Sequence, residues 1–172
     1  MNRLALLSLL FALPVFAQDS KQDDMKDCPL RAQHTSHQAV VKSHGDQAMG
    51  FPHDKTTHHF RMLADGGSIE VTANNPGDKA NTTAIRSHLV HIATMFGNGD
   101  FSTPTFIHDG VPPGVTTMKL MKSTIHYTYV KTASGGRVKI TSGDPIAIAA
   151  IHDFLRFQIT EHQTGDSLEA LN

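Results

Sequence analysis

The sequence of 172 residues has no tryptophan, a single cysteine and no excess of basic residues. A lone Cys28 excludes a disulfide within the chain, and leaves open pairing between molecules or a role as a metal ligand. Lys and Arg number 15 against 16 Asp and Glu, so the basic excess typical of nucleic-acid-binding proteins is missing. Beyond the N-terminus, no apolar run reaches the roughly 20 residues of a membrane helix, and we expect no membrane span.

Sequence motifs of the common enzyme classes are missing as well. The chain has no G-x-S-x-G nucleophile elbow, no H-E-x-x-H zinc helix and no C-x-x-C redox pair. It also has no C-x-x-C-H sequence, which excludes haem attached covalently through that motif. The sequence therefore indicates no particular reaction, and whether the protein is an enzyme stays open.

Histidine and methionine are the residues that this sequence has in quantity, with 12 His and 7 Met. Imidazole titrates near neutral pH, and its neutral form is the commonest metal ligand in proteins. Thioether sulfur selects copper(I) or serves as an axial ligand of haem iron. Magnesium and calcium prefer oxygen ligands. The composition therefore favours copper or non-covalent haem b as the bound partner.

The first 17 residues have the layout of a secretory signal peptide. A basic Arg3 precedes an apolar run from Leu4 to Leu13, and small side chains stand before a cleavage position near Ala17. We therefore expect a periplasmic or secreted protein. Residues 18–50 are polar and lack sustained periodicity, which predicts a flexible segment with at most one short helix between Pro29 and Lys42.

The rest of the chain, residues 51–172, is predicted to form one α+β domain made of two similar halves. Each half, 51–100 and 116–166, has two strands around a turn with a Gly-Gly pair and then a helix with apolar residues at helical spacing. The predicted strands are 58–64, 68–73, 124–131 and 137–141, and the predicted helices are 81–96 and 145–162. A loop rich in Gly and Pro, 97–115, joins the halves, and its length is typical of a lid or binding loop.

The two halves align on their glycine pairs. Laying Gly66-Gly67 over Gly135-Gly136 matches Ile69 with Val138. We therefore predict an α+β fold with a duplicated ββα unit, which forms a four-stranded, mostly antiparallel sheet with two helices on one face. One unit alone buries too little apolar surface to be stable, so both halves are expected to share one core. The order of the strands is left open.

Candidate ligands gather on the first hairpin, on the segment before it and on the first helix. Strand alternation directs His58 inward and His59 outward, whereas His88 and His91 share one flank of the helix. The residues predicted to bind a cofactor are Met49, His58 and His88. The wider set of candidate metal ligands consists of Met49, His53, His58, His59, His88, His91, Met95 and His108.

Three functions fit this pattern. The first is an exported copper- or haem-binding protein that acts as a carrier, a sensor or an electron-transfer protein. The second is a metal-dependent enzyme whose open coordination position lies under loop 97–115. The third is a protein-interaction module without metal. A structural role for His58 also fits, because the glycine alignment matches it with Tyr127, an aromatic residue of core size.

Six short segments follow one another along the chain: TTHHF, DGGSIEV, IRSHLVHI, GDFSTPTFIHD, VPPGV and FLRFQI-x-x-H-x-TGD. Through them the chain resembles a group of small secreted bacterial proteins of unassigned role, from about His44 to Asp166. Some sequences of this kind carry the automatic label aspartate carbamoyltransferase. This chain lacks the Ser-Thr-Arg-Thr phosphate-binding motif of that family, so we do not carry that activity over. The resemblance implies export and a single fold.

Overall fold

Two hairpins form a four-stranded antiparallel sheet in the computed structural model, which describes residues 29–171. β1 (Thr56–Leu63) pairs with β2 (Gly66–Ala73), and β3 (Ile125–Lys131) pairs with β4 (Gly135–Ser142). The inner strands β2 and β4 also run antiparallel, which gives the order β1-β2-β4-β3. The expected signal peptide and Cys28 lie outside the described residues.

The glycine pairs lie inside strands, although the sequence predicts them in the turns. Ala64 and Asp65 make the first turn, and Gly66 and Gly67 begin β2. A Cβ at Gly67 would collide with the Leu155 side chain and with the backbone oxygen of Arg61. The pair is therefore required by close packing of a helix on the sheet, which hairpin patterns do not reveal.

Two long helices cover one face of the sheet. α2 (Lys79–Gly97) begins at Asp78, whose side chain accepts a hydrogen bond from the Asn81 amide, and α5 (Pro145–His162) begins in the same way at Asp144. α2 packs mainly on β3 and β4, whereas α5 packs mainly on β1 and β2. Each helix therefore covers the hairpin of the other half of the chain.

The two halves are related by an approximate twofold axis. Ile69 and Val138, which the glycine alignment matches, are themselves paired across β2 and β4, so the axis passes between them. Leu155 of α5 packs over Gly67, and Leu89 of α2 packs over Gly136 in the equivalent place. The predicted α+β fold, with a duplicated ββα unit and both helices on one face, is confirmed.

The segment before the first hairpin is a helix, α1 (Pro29–Met49), of 21 residues. It is longer than the predicted stretch from Pro29 to Lys42, and it packs against the rest of the domain with Val41 only 2% exposed. Polar contacts hold much of it, including a hydrogen bond of 2.6 Å between His37 Nε2 and Glu161 Oε2. Because much of α1 is held by polar contacts, its sequence has no clear apolar stripe and resembles that of a flexible segment.

The connection between the halves contains two short helices, α3 (Ser102–Ile107) and α4 (Val115–Leu120). Phe101 lies in the core with 0% exposure, so the connection is anchored to the domain. Gly97 is the last residue of α2, and the glycine with positive φ that follows the helix is Gly99.

Candidate metal site

A cavity of about 280 Å³ lies between α1, the start of β1 and the end of α5. We call it the outer cavity. Polar and apolar side chains share its lining, which includes Gln38, Val41, Met49, His58, Glu161 and His162. The cavity exists because α1 spans the end of the sheet where β1 and α5 meet, so the predicted flexible segment supplies one of its walls.

A second and smaller space of about 60 Å³ lies deeper in the domain, and we call it the inner chamber. Its walls are mainly apolar and include Phe60, Ile69, Ile92, Phe96, Ile107 and Phe154. Met49, His58 and His162 line both spaces. These three side chains therefore stand at the boundary between a cavity of mixed lining and a mainly apolar chamber.

Two imidazoles face each other at this boundary. The ring centroids of His58 and His162 are 6.1 Å apart, and the ring planes differ by 8°. Phe60 packs against both rings, with centroid distances of 6.4 Å to His58 and 5.7 Å to His162. Within residues 29–171, the ring nitrogens of neither histidine make a hydrogen bond. Both pairs of ring nitrogens are therefore left without a protein partner in that part of the chain.

Burial keeps these imidazoles neutral. Loss of hydration lowers the pKa of His58 to about 4, and the nearby His88 adds to the effect. Loss of hydration also lowers the pKa of His162 to about 3, with further contributions from His58 and His108. Metal ions bind the neutral form of imidazole, so both rings are in the ligand form at neutral pH without releasing a proton.

The spacing of the two rings is compatible with one shared ion. A metal lies about 2 Å from a ligating imidazole nitrogen, so two rings on one ion have centroids at most roughly 6 Å apart. The 6.1 Å between His58 and His162 is at this limit. Met49 lines both cavities together with the two rings, so its thioether is a candidate third ligand.

The other half of the molecule has an aromatic pair in the equivalent place. Superposing the caps Asp78 and Asp144 matches Phe96 with His162, and the glycine alignment matches Tyr127 with His58. Phe96 and Tyr127 are also in contact, with ring centroids 5.9 Å apart. The fold therefore accepts ordinary aromatic side chains at both positions, and the imidazole pair is not required by the architecture.

Three of the predicted ligands are engaged elsewhere or exposed. His53 lies at the rim of the outer cavity, and its Nδ1 is hydrogen-bonded to Asp46 at 2.9 Å. His59 points to the opposite face of the sheet, where its Nδ1 contacts Asp166 Oδ1 at 2.8 Å; the sequence does not predict this partner. His91 is exposed on α2.

The remaining predicted ligands lie nearer to the imidazole pair. His88 lines the inner chamber with Met49, and burial lowers its pKa to about 4. His108 is buried, with its ring 5.2 Å from that of His162, and its Nε2 is 3.3 Å from Gln158 Oε1. The sulfur of Met95 accepts a hydrogen bond from Thr103 Oγ1. The structure thus brings Met49, His58 and His88 to one region.

The predicted set does not converge on a single ion as a whole. Among residues 29–171, no three His, Cys, Asp or Glu side chains are grouped so as to hold one metal. The partner of His58 in this region is His162, which is not among the candidate ligands predicted from the sequence. The signal for it was present, because the Gly-Asp pairs that close the halves, at Gly99 and Gly165, align Phe96 with His162.

Comparison with protein-family models, curated proteins and solved structures finds no match for this chain. Among the helices of residues 29–171, none combines the length and the apolar character needed to cross a membrane. The functional argument therefore depends on the geometry of the site.

Proposed function

We propose that the protein binds one copper(I) ion between His58 and His162, with Met49 as a third ligand, and that it carries copper outside the cytoplasm. The observation that carries the proposal is the pair of facing neutral imidazoles, 6.1 Å apart and without hydrogen-bond partners in residues 29–171. Both rings share the boundary of the two cavities with Met49. The expected signal peptide supports the location.

The donor set favours copper(I) over other ions. Two imidazoles and a thioether form a small and soft set, which suits copper(I). Structural zinc sites use four Cys, His or carboxylate ligands, and calcium and magnesium need several oxygen ligands. Among the described residues, no group of three His, Cys, Asp or Glu offers such a set. The outer cavity of about 280 Å³ is also small for haem b, so we favour an ion over a macrocycle.

The position of the site supports a carrier. A two- or three-coordinate ion keeps an open side, and the outer cavity gives an incoming ligand access to that side. A carrier transfers its ion through such an open position, because a ligand of the receiving protein must bind the ion before the ligands of the carrier dissociate. Val41 and Met49 belong to α1, so movement of this helix would widen the access.

A metal-dependent enzyme is the second candidate, and one observation favours it. Thr103, Pro104 and Ile107 of α3, which belongs to loop 97–115, form a wall of the inner chamber. A substrate bound there would be covered by this loop, as the sequence predicts for an open metal site. Catalytic turnover by the copper-loaded protein, absent after His58→Phe, would favour the enzyme over the carrier.

The experiment for the carrier is a competition titration of copper(I) against a chromophoric chelator. Wild-type protein is expected to bind one equivalent. His58→Phe and His162→Phe are expected to lower the affinity roughly 100-fold or more, since each removes a direct ligand. Phenylalanine is chosen because the equivalent positions in the other half hold Phe96 and Tyr127, so the variants should fold.

One matched variant controls for the loss of a histidine as such. His126→Phe changes an exposed imidazole of β3, and it is expected to leave the copper affinity unchanged. Equal affinities in wild type, His58→Phe and His162→Phe would show that the ion lies elsewhere, and the proposal would be wrong.

A further inference from the structure

We infer that the inner chamber is a binding site for a neutral diatomic molecule that reaches the copper ion from its apolar side. This inference rests on the proposed copper site. It begins from the position of Met49, His58 and His162, which line the inner chamber as well as the outer cavity. An ion held between the two imidazoles therefore faces the chamber directly.

The size of the chamber selects small ligands. It measures about 60 Å³, and a water molecule in the liquid takes up roughly 30 Å³. One diatomic molecule fits into this space, whereas an amino acid or a sugar does not. The outer cavity of about 280 Å³ has room for larger molecules, so the spaces on the two sides of the ion differ in size.

The lining of the chamber selects apolar ligands. Its walls come from both halves of the domain and include Ile69, Leu89, Ile92, Ile107 and Phe154. Apolar cavities in proteins take up apolar gases such as xenon. Copper(I) is a soft, electron-rich ion and binds π-acceptors such as carbon monoxide. The volume of the chamber, its mainly apolar wall and the adjacent copper(I) ion all favour the same class of ligand, a neutral diatomic molecule.

The apolar wall is interrupted by polar side chains, which include His88, Thr103 and Gln158. Gln158 lines the chamber and is 5% exposed, and its Nε2 has no hydrogen-bond partner in the described structure. Its Oε1 is 3.3 Å from His108 Nε2, an arrangement in which the carbonyl oxygen accepts from the ring and the amide nitrogen is left to donate. A buried donor without an acceptor is unfavourable. The far atom of a diatomic ligand on the copper supplies the missing acceptor.

Carbon monoxide is the probe for this site. Copper(I)-loaded wild-type protein is expected to form a one-to-one adduct with a single C–O stretching band in the infrared. Ile107→Phe fills the chamber and is expected to keep the copper while it weakens carbon monoxide binding at least tenfold. Leu120→Phe makes the same kind of change at an exposed position and should have no effect.

Gln158→Leu should keep the adduct and shift its band to higher wavenumber, because a hydrogen bond to the ligand is lost.

Xenon tests the chamber without the metal. Metal-free wild-type protein is expected to take up one xenon atom, observed by xenon NMR, and Ile107→Phe is expected to abolish this uptake. Failure to load copper would contradict the proposed function, and it would be seen before any gas is added. The inference itself is overturned if the protein holds copper but gives no carbon monoxide adduct. It is also overturned if Ile107→Phe leaves the affinity for carbon monoxide or xenon unchanged.

Discussion

His58 and Tyr127 occupy equivalent places in the two halves of the sheet, yet their surroundings differ. Tyr127 contacts Phe96 in an apolar layer, whereas His58 contacts His162 at the edge of two cavities. A structural explanation for His58 accounts for its size, because an aromatic ring fits there. It does not account for a second half-buried imidazole beside it. The residue pair, more than either histidine alone, is what points to a ligand.

The first prediction concerns the stability of the metal-free protein in acid. His58 and His162 have pKa values of about 4 and about 3 when folded, against an ordinary value of about 6.5 when unfolded. Between pH 6.5 and 4 the unfolded chain binds more protons, so the free energy of unfolding falls as the pH is lowered. We expect the double variant His58→Phe, His162→Phe to recover on the order of 2 kcal/mol of this loss at pH 4.5.

Urea denaturation of both proteins at pH 7 and pH 4.5 measures this difference. His88 and His108 also have lowered pKa values, so the variant should keep part of the pH dependence. Asp166 and Glu70 have lowered pKa values too, but wild type and variant both keep these carboxylates, so their contribution cancels in the comparison. Identical losses of stability in wild type and variant would mean that the two imidazoles are solvated in the folded state.

The glycines of β2 provide a second prediction, at the scale of an element. Gly67 has no space for a Cβ, because the Leu155 side chain of α5 and the backbone of Arg61 occupy it. Gly67→Ala is expected to destabilise the protein by about 3 kcal/mol, since α5 must shift away from the sheet. Thermal or urea unfolding measures the change.

Gly143→Ala is the matched control for this variant. A Cβ at Gly143 meets nothing within 4 Å, so the substitution is expected to be close to neutral. If Gly67→Ala were as stable as Gly143→Ala, the close packing of α5 on β2 would be incorrect.

Helix α1 gives a third prediction. It covers the outer cavity, and its last residue, Met49, is the proposed third ligand. Copper(I) should therefore slow amide hydrogen exchange around residues 41–49, because opening of the helix end would break the bond to the ion. Met49→Leu removes this bond, so it should weaken copper binding and, at saturating copper, lose this protection. Equal exchange with and without copper in the wild type would show that α1 does not take part in binding.

Sequence patterns predict the elements with internal periodicity well. The hairpins, α2 and α5 follow from alternation, from helical spacing and from the repeat. The packing of α1 cannot be predicted in this way, because contacts such as the one between His37 and Glu161 depend on a distant part of the chain. The contact between His58 and His162 also depends on tertiary packing. The repeat contained a clue to it, since it places His162 where the other half has Phe96.

At the scale of the whole molecule, each helix stabilises the hairpin of the other half. α2 packs mainly on β3 and β4, and α5 packs mainly on β1 and β2. A fragment with residues 29–109 therefore has a hairpin without its covering helix and a helix without its sheet. We predict that this fragment, and also one with residues 110–172, gives no cooperative unfolding transition by circular dichroism.

The full chain is the control for this experiment, and it should unfold in one cooperative step. A cooperative transition in either isolated fragment would show that a single ββα unit is stable, which contradicts the shared core. The same shared core places the imidazole pair, because His58 comes from the first half and His162 from the second. Folding of the whole chain is therefore needed before the site exists.

X-ray absorption spectroscopy of the copper(I)-loaded protein tests the central claim most directly, because it counts the ligands of the ion and identifies their atoms. The account predicts two nitrogen ligands at about 2 Å and one sulfur at about 2.3 Å, with the imidazole signal lost in the double variant His58→Phe, His162→Phe. A copper ion surrounded by four or more oxygen or nitrogen atoms, or an unchanged imidazole signal in that variant, would contradict it.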